Sequence, residues 1–251
     1  MSAMRLLTRI IPATLAIAFS IAVSAKEQTV IPGIEMVDVE GGTFTMGLDE
    51  GEAEHLYETP KHDVTLSDFR CSKYEVTQEL WEAVMGENPS ISKGDELPVE
   101  NVSWHDVQIF IKKLNKLTGK KYRLPTEAEW EFAARGGNLS RGYVFIGGNE
   151  IDKTAWHSHN ADKHTHQVGL LKPNELGIYD IGGNVSEWVQ DWYGHYSEKT
   201  NKNPQGAKKS DIGKIFRGGC FRNLPEYNKP GCRFVSNPNF KCDFIGFRLA
   251  E

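Results

Sequence analysis

Apolar residues recur at helical spacing in three stretches of the first half of the chain. Over residues 103–117, Val107, Phe110, Ile111, Leu114 and Leu117 share one helical face, Ser103 is placed to cap the first turn, and Gly119 can end the helix. The pattern predicts an amphipathic helix there. Thr126-Glu127-Ala128-Glu129 has the Thr-x-x-Glu form in which hydroxyl and carboxylate satisfy each other's free N–H groups, and Trp130, Ala133 and Ala134 follow as a buried stripe before Gly136. A third helix is predicted over residues 77–85, burying Leu80, Trp81 and Val84 and closed by Gly86.

Beyond Gly136 the pattern changes to short β-prone runs at 143–146, 216–217, 232–235 and 247–249, set among glycines, prolines and asparagines. Runs this short do not hold a sheet by propensity alone. The region therefore needs other fixings: buried aromatics, disulfides, bound cations, or hydrogen bonds from Arg and Asn to loop backbone. Trp188, Trp192 and Tyr193 are spaced for core packing. Arg217, Arg233 and Arg248 recur where acids are scarce; Arg217 and Arg248 are expected to bond loop carbonyls, and Arg233 is the candidate for an anionic group.

The run Ile10 to Val23 is apolar without helical alternation. Arg5 and Arg9 precede it and Val23-Ser24-Ala25 follows with small residues, so residues 1–25 read as a cleaved export signal, and Pro12, Thr14 and Ser20 argue against a spanning helix. Residues 26–251 then form one domain, with no linker dividing them. The formal charge of −5 becomes −7 without Arg5 and Arg9, and the remaining basic residues are scattered, which argues against a nucleic-acid partner. All four cysteines, Cys71, Cys220, Cys232 and Cys242, lie in the exported part, where thiols can be oxidised. Cys232 with Cys242 is the expected disulfide, being close in sequence across Asn237-Pro238-Asn239; buried free thiols are the alternative.

Two stretches carry metal-binding chemistry. In Asp180-Ile181-Gly182-Gly183-Asn184-Val185-Ser186-Glu187, two carboxylates flank a glycine-bent loop whose carbonyls could complete a calcium shell; alternatively Asn184 and Glu187 brace the loop by hydrogen bonds. His157, His159, His164 and His166 form two alternating pairs that could hold a transition metal, or a polar surface loop.

The segments GGTFTMG (41–47), KYEVTQ (73–78), PVENVSW (98–104), RLPTEAEWEFAARGG (123–137), ELGIYDIGGNVSEWVQDWYG (175–194), FRGG (216–219) and GFRLA (246–250) occur in the order seen in the formylglycine-generating enzyme, or sulfatase-modifying factor, family. The resemblance spans residues 26–251 almost throughout. It implies a single α/β (α+β) domain with little regular secondary structure, related to C-type lectin folds. It also implies a structural calcium held by the side chains of Asp180 and Glu187 with backbone oxygens of Gly183 and Val185. Asn160 falls near where the family's other calcium site begins, but the acidic ligand that should follow it is not recognisable. Catalytic members bind copper(I) through two cysteines five positions apart and oxidise a substrate cysteine to formylglycine. Counted from Arg217-Gly218-Gly219, those positions hold Asn223 and Asn228, and Cys220 stands where the family has serine. Cys220 and Cys232 are the candidate substitutes, but they lie twelve positions apart with Pro225 and Pro230 between them.

The resemblance thus leaves three readings: a binding module for an exported peptide, protein or glycan without copper chemistry; an oxidase acting on a cysteine or another exported substrate; and an accessory subunit that recognises a cell-envelope component. Expected in each case are a periplasmic or secreted location and no membrane association after signal cleavage.

Overall fold

Helix boundaries follow local cap chemistry. The computed structural model describes residues 31–51, 58–197, 199 and 201–251; the expected export signal lies outside them. Helix α1 (Gln78–Met85) starts where the Thr77 hydroxyl accepts from Leu80 N and stops at Gly86, whose φ of 83° few side chains tolerate. Helix α2 (Trp104–Thr118) opens with a reciprocal box between Ser103 and Asp106 and ends at left-handed Gly119. Helix α3 (Glu127–Ala134) has the predicted Thr126–Glu129 box. One apolar position departs from expectation: Leu117 is 57% exposed.

Three small sheets surround these helices. Strand β1 (Met36–Val39) pairs antiparallel with β4 (Phe69–Ser72). Strand β2 (Thr43–Met46) pairs antiparallel with β3 (His62–Thr65), whose other edge takes β6 (Asn201–Lys202) in parallel. The largest sheet has the order β8 (Arg233–Ser236), β7 (Lys214–Arg217), β5 (Ser186–Trp192), β9 (Ile245–Gly246). Strands β7 and β8 match the runs predicted at 216–217 and 232–235. The run at 143–146 forms a turn closed by a Phe145–Gly148 bridge, and the strand expected at 247–249 is displaced to β9.

Strand β5 sits between the two cores. Val189 points into one with Trp130, Phe132, Ile178 and Ile215, and Trp188 into the other with Phe110, Leu114, Leu124 and Phe247. Trp81 stacks on Phe110 with ring centroids 5.0 Å apart, so α1, α2 and the segment after β9 share one aromatic cluster. Among the described residues no helix is long and apolar enough to cross a membrane.

Candidate functional site

The loop 180–187 is wound from left-handed residues: Asp180, Gly183 and Asn184 have φ of 50°, 79° and 54°. At Gly183 the chain passes so close to Trp156 that a Cβ would meet its carbonyl oxygen at 2.3 Å, so only glycine fits. The turn buries Asp180, whose Oδ2 accepts from Gly169 N at 2.6 Å and whose Oδ1 has no partner. Burial pushes its pKa up to about 6.

A carboxylate overlooked in the sequence lies across from it. Glu75, in KYEVTQ, is 2% exposed and accepts from Asn184 Nδ2 at 2.7 Å and Val185 N at 3.1 Å. Burial, then the charges of Asp180 and Glu187, hold it well above the usual carboxylate range. Glu187 is engaged elsewhere: its oxygens accept from Arg248 Nε and Nη2 at 2.6–2.9 Å and from Trp130 Nε1 at 2.7 Å. Among the described residues no three His, Cys, Asp or Glu side chains converge as a metal-ligand group. The orphaned Asp180 oxygen nevertheless fits a hard cation, with Glu75 beside it and Gly183 and Val185 in the same turn. A bound calcium there would offset two buried negative charges. Glu75 also lines a cleft of about 360 Å³ with Glu35, Tyr74, Glu79 and Glu96.

The histidines come together, but as braces of their own loop. His157 is buried; its Nε2 bonds Asp152 at 2.8 Å and its Nδ1 accepts from His159 N at 3.3 Å. His164 Nδ1 bonds Thr165 O and His166 Nε2 bonds Ala161 O. The His166 ring stacks on Trp156 at 3.8 Å, and burial lowers its pKa. Asn160 is likewise occupied, accepting from His157 N and donating to Ala155 O.

After β7, left-handed Gly218 and Gly219 turn the chain back beneath Trp130. Cys220 donates its S–H to Asn223 Oδ1 at 3.0 Å, and Asn223 O accepts from Ser158 N. Asn228 is fully buried; its Nδ2 donates to Pro225 O at 3.3 Å and its Oδ1 has no partner. Carboxamides are poor donors for copper(I), which favours soft thiolates. Copper does not fit this pair.

The four cysteines are unpaired in this structure, so the expected Cys232–Cys242 disulfide is not formed here. The Cys232 thiol donates to Glu226 O at 3.7 Å, and Cys220 is among the groups that raise the Cys242 pKa. Burial pushes the pKa of Cys71, Cys232 and Cys242 up to about 12 and that of Cys220 to about 11. None is a ready thiolate at neutral pH, so neither Cys220 nor Cys232 is poised as a copper(I) ligand.

The three arginines find acids that lie far away in sequence. Arg233 holds Glu127 through two bonds of 2.6 and 2.8 Å; Arg217 pairs with Glu131 and donates to Pro230 O; Arg135 also holds Glu131. Glu127 and Glu131, one turn apart on α3, are the partners sequence reasoning missed. Their i, i+4 spacing in EAEWEFAARGG was the available signal. The network borders a cavity of about 400 Å³ lined by His62, Glu127, Asp191, Trp192, His195 and Tyr196. Asp191 accepts from Glu127 N at 2.9 Å, and burial, then the Glu127 charge, pushes its pKa up to about 7. Next to it Lys214 Nζ lies 3.9 Å from the Trp104 ring and 4.3 Å from that of Trp192, with burial lowering its pKa to about 8.

The chain is similar to known proteins. The chain is 36% identical over 211 residues to "Chaperone protein LppX" of Paenibacillus barcinonensis, covering 64% of this chain and 72% of that protein. It is 32% identical over 247 residues to the serine/threonine-protein kinase pkn1 of Chlamydia pneumoniae, covering 86% of this chain but only 38% of the kinase's length. The structure of "Treponema denticola variable protein 1" superposes with a TM-score of 0.79 at 31% identity, covering 86% of this chain and 94% of that one. The model of the sulfatase-modifying factor enzyme 1-like domain matches residues 22–251, so this chain belongs to the sulfatase-modifying factor family, the group of the formylglycine-generating enzyme.

Proposed function

We propose that this chain is an exported family member without copper-dependent cysteine oxidation, and that it serves as a binding or accessory module for a peptide, protein or glycan. The observation that carries this reading is the pair Asn223 and Asn228 at the positions where the resemblance implies copper thiolates. One accepts the Cys220 S–H and the other donates to a turn carbonyl. The high pKa values of the remaining thiols favour the same conclusion. An accessory role is in keeping with the relative named as a chaperone protein. Calcium is proposed as a structural ion at Asp180 and Glu75, with backbone oxygens of Gly183 and Val185. The basic and apolar pattern of residues 1–25 supports export to the periplasm or medium, and the net negative charge supports partners other than nucleic acid.

The test is a copper(I) titration against a competing chelator, run beside an oxygen electrode with a cysteine-containing peptide. The expected result is no oxygen uptake above the protein-free control. Stoichiometric copper(I) binding coupled to oxygen consumption and loss of the peptide thiol would overturn the reading in favour of an oxidoreductase that converts a substrate cysteine to formylglycine.

A further inference from the structure

Two segments that are not neighbours in sequence are fastened to one residue. Ser186, the first residue of β5, donates its N–H to Phe244 O at 2.8 Å and its hydroxyl to Gly219 O at 3.0 Å. A second clasp lies close by, where Arg222 pairs with Asp243. Cys220 stands between Gly219 and Arg222, and Cys242 immediately precedes Asp243. Cys220 is 1% exposed, whereas Cys242 is half-buried. The two thiols feel each other electrostatically, for Cys220 contributes to raising the Cys242 pKa. The surroundings of Cys232 differ: its charged neighbours are Glu58, Arg217 and Lys229. A disulfide needs Cα atoms within about 7 Å; the carbonyls of Gly219, next to Cys220, and of Phe244, two residues after Cys242, both bond Ser186, at 3.0 and 2.8 Å.

We propose that Cys220 and Cys242 are the site of an intramolecular disulfide, made by exchange with a disulfide-bearing oxidant such as oxidised glutathione or a protein dithiol oxidase. Cys242, the more accessible thiol, loses its proton and attacks one sulfur of the oxidant. That S–S bond breaks, and one thiol of the oxidant leaves with a proton. Cys220 then loses its proton and attacks the Cys242 sulfur of the mixed disulfide, releasing the second thiol. The cysteine pair gives up two electrons and the oxidant disulfide is reduced to two thiols. The new bond takes Sγ of Cys220 away from the Asn223 carboxamide and ties the loop after Gly219 to the segment that leads into β9. The inference does not depend on whether the domain is a binding module or an oxidase.

Trypsin separates all four cysteines, since Cys71, Cys220, Cys232 and Cys242 fall in peptides 71–73, 218–222, 223–233 and 242–248. In one arm the folded protein is incubated with oxidised glutathione at about pH 8.5, which raises the thiolate fraction. In a second arm it is refolded from denaturant in a glutathione redox buffer, so that burial does not limit access. Thiols are then blocked and the digest is analysed without reduction by mass spectrometry. The expected product is peptide 218–222 joined to 242–248, at their summed mass less two hydrogens. It persists in Cys232→Ala, disappears in Cys242→Ser, and comes with a melting temperature several degrees above that of the reduced protein. Joining of 223–233 to 242–248, or four blocked thiols in both arms, would overturn the proposal.

Discussion

Replacing Glu187 by Gln separates two accounts of this residue, as an ion-pair partner or as a calcium ligand. Glu187 is 1% exposed and Arg248 fully buried. The carboxylate accepts three bonds from the guanidinium and one from Trp130 Nε1, while the guanidinium's other N–H groups reach Ser72 O and Tyr179 O. Glutamine keeps the shape but removes the charge and turns one acceptor into a donor that faces donors. Breaking one side of such a buried pair costs about 3–5 kcal/mol. For a domain of this size that is a fall in melting temperature of roughly 6–20 °C. The assay is thermal and urea unfolding of both proteins, each with calcium and with a chelator. The ion-pair account expects the same deficit in both conditions, with chelation lowering the wild type through Asp180 and Glu75 instead. If the variant and wild type unfold together once calcium is removed, Glu187 is a ligand and the ion-pair account fails. If chelation moves neither protein, the calcium proposal fails.

Asp191→Asn tests the buried acid at the cavity edge. Its folded pKa of about 7 lies above the ordinary aspartate value of 3.8, so between those values the folded state holds a proton that the unfolded state has lost. Stability therefore falls as pH rises from about 4 to 7, by about 4 kcal/mol in all at the upper limit. Asparagine can still accept from Glu127 N, so the variant is expected to match wild type below about pH 4 and exceed it above about pH 7; parallel stability curves would refute the shift. The nearby Lys214 titrates above that window, at about 8, and the Glu127 and Arg233 charges act in the wild type and variant alike. For backbone crowding, Gly183→Ala is compared with Gly119→Ala in urea melts. Both sites have positive φ, but a Cβ at Gly119 meets nothing within 4 Å and one at Gly183 meets Trp156 backbone. The former is expected to cost about 1–2 kcal/mol and the latter clearly more; equal costs would remove the close-approach argument.

The helices were legible because their signals are local: Thr77, Ser103 and Thr126 cap within three residues, and Gly86 and Gly119 stop the chain. Strand β5 was not, because Trp188 and Val189 are both buried and the alternation that marks a half-exposed strand is missing. The same distance problem hid the arginine partners. Glu127 and Arg233 are 106 residues apart, and Glu187 and Arg248 are 61 apart, so nothing near each arginine announced its acid. Glu75 stood in a stretch noted only for its resemblance, and its place beside Asp180 exists only after folding. The loss of the thiolate pair at Asn223 and Asn228, by contrast, could be counted directly along the chain.

Residues 245–250 act on parts of the protein made long before them. Ile245 and Gly246 add the edge to β5, Phe247 enters the aromatic cluster of Trp81 and Phe110, Arg248 neutralises Glu187, and Ala250 bridges Cys71 and Arg123. On the ribosome, a chain that has reached only residue 240 carries an apolar α1–α2 surface without its cover and an acid without its cation. It has little to gain from folding early, and contacts of such sequence separation form slowly. Until residues 245–250 are made, the α1–α2 surface and Glu187 lack the partners that bury and neutralise them. Damage at Phe247 or Arg248 should be felt first as lost yield during biogenesis.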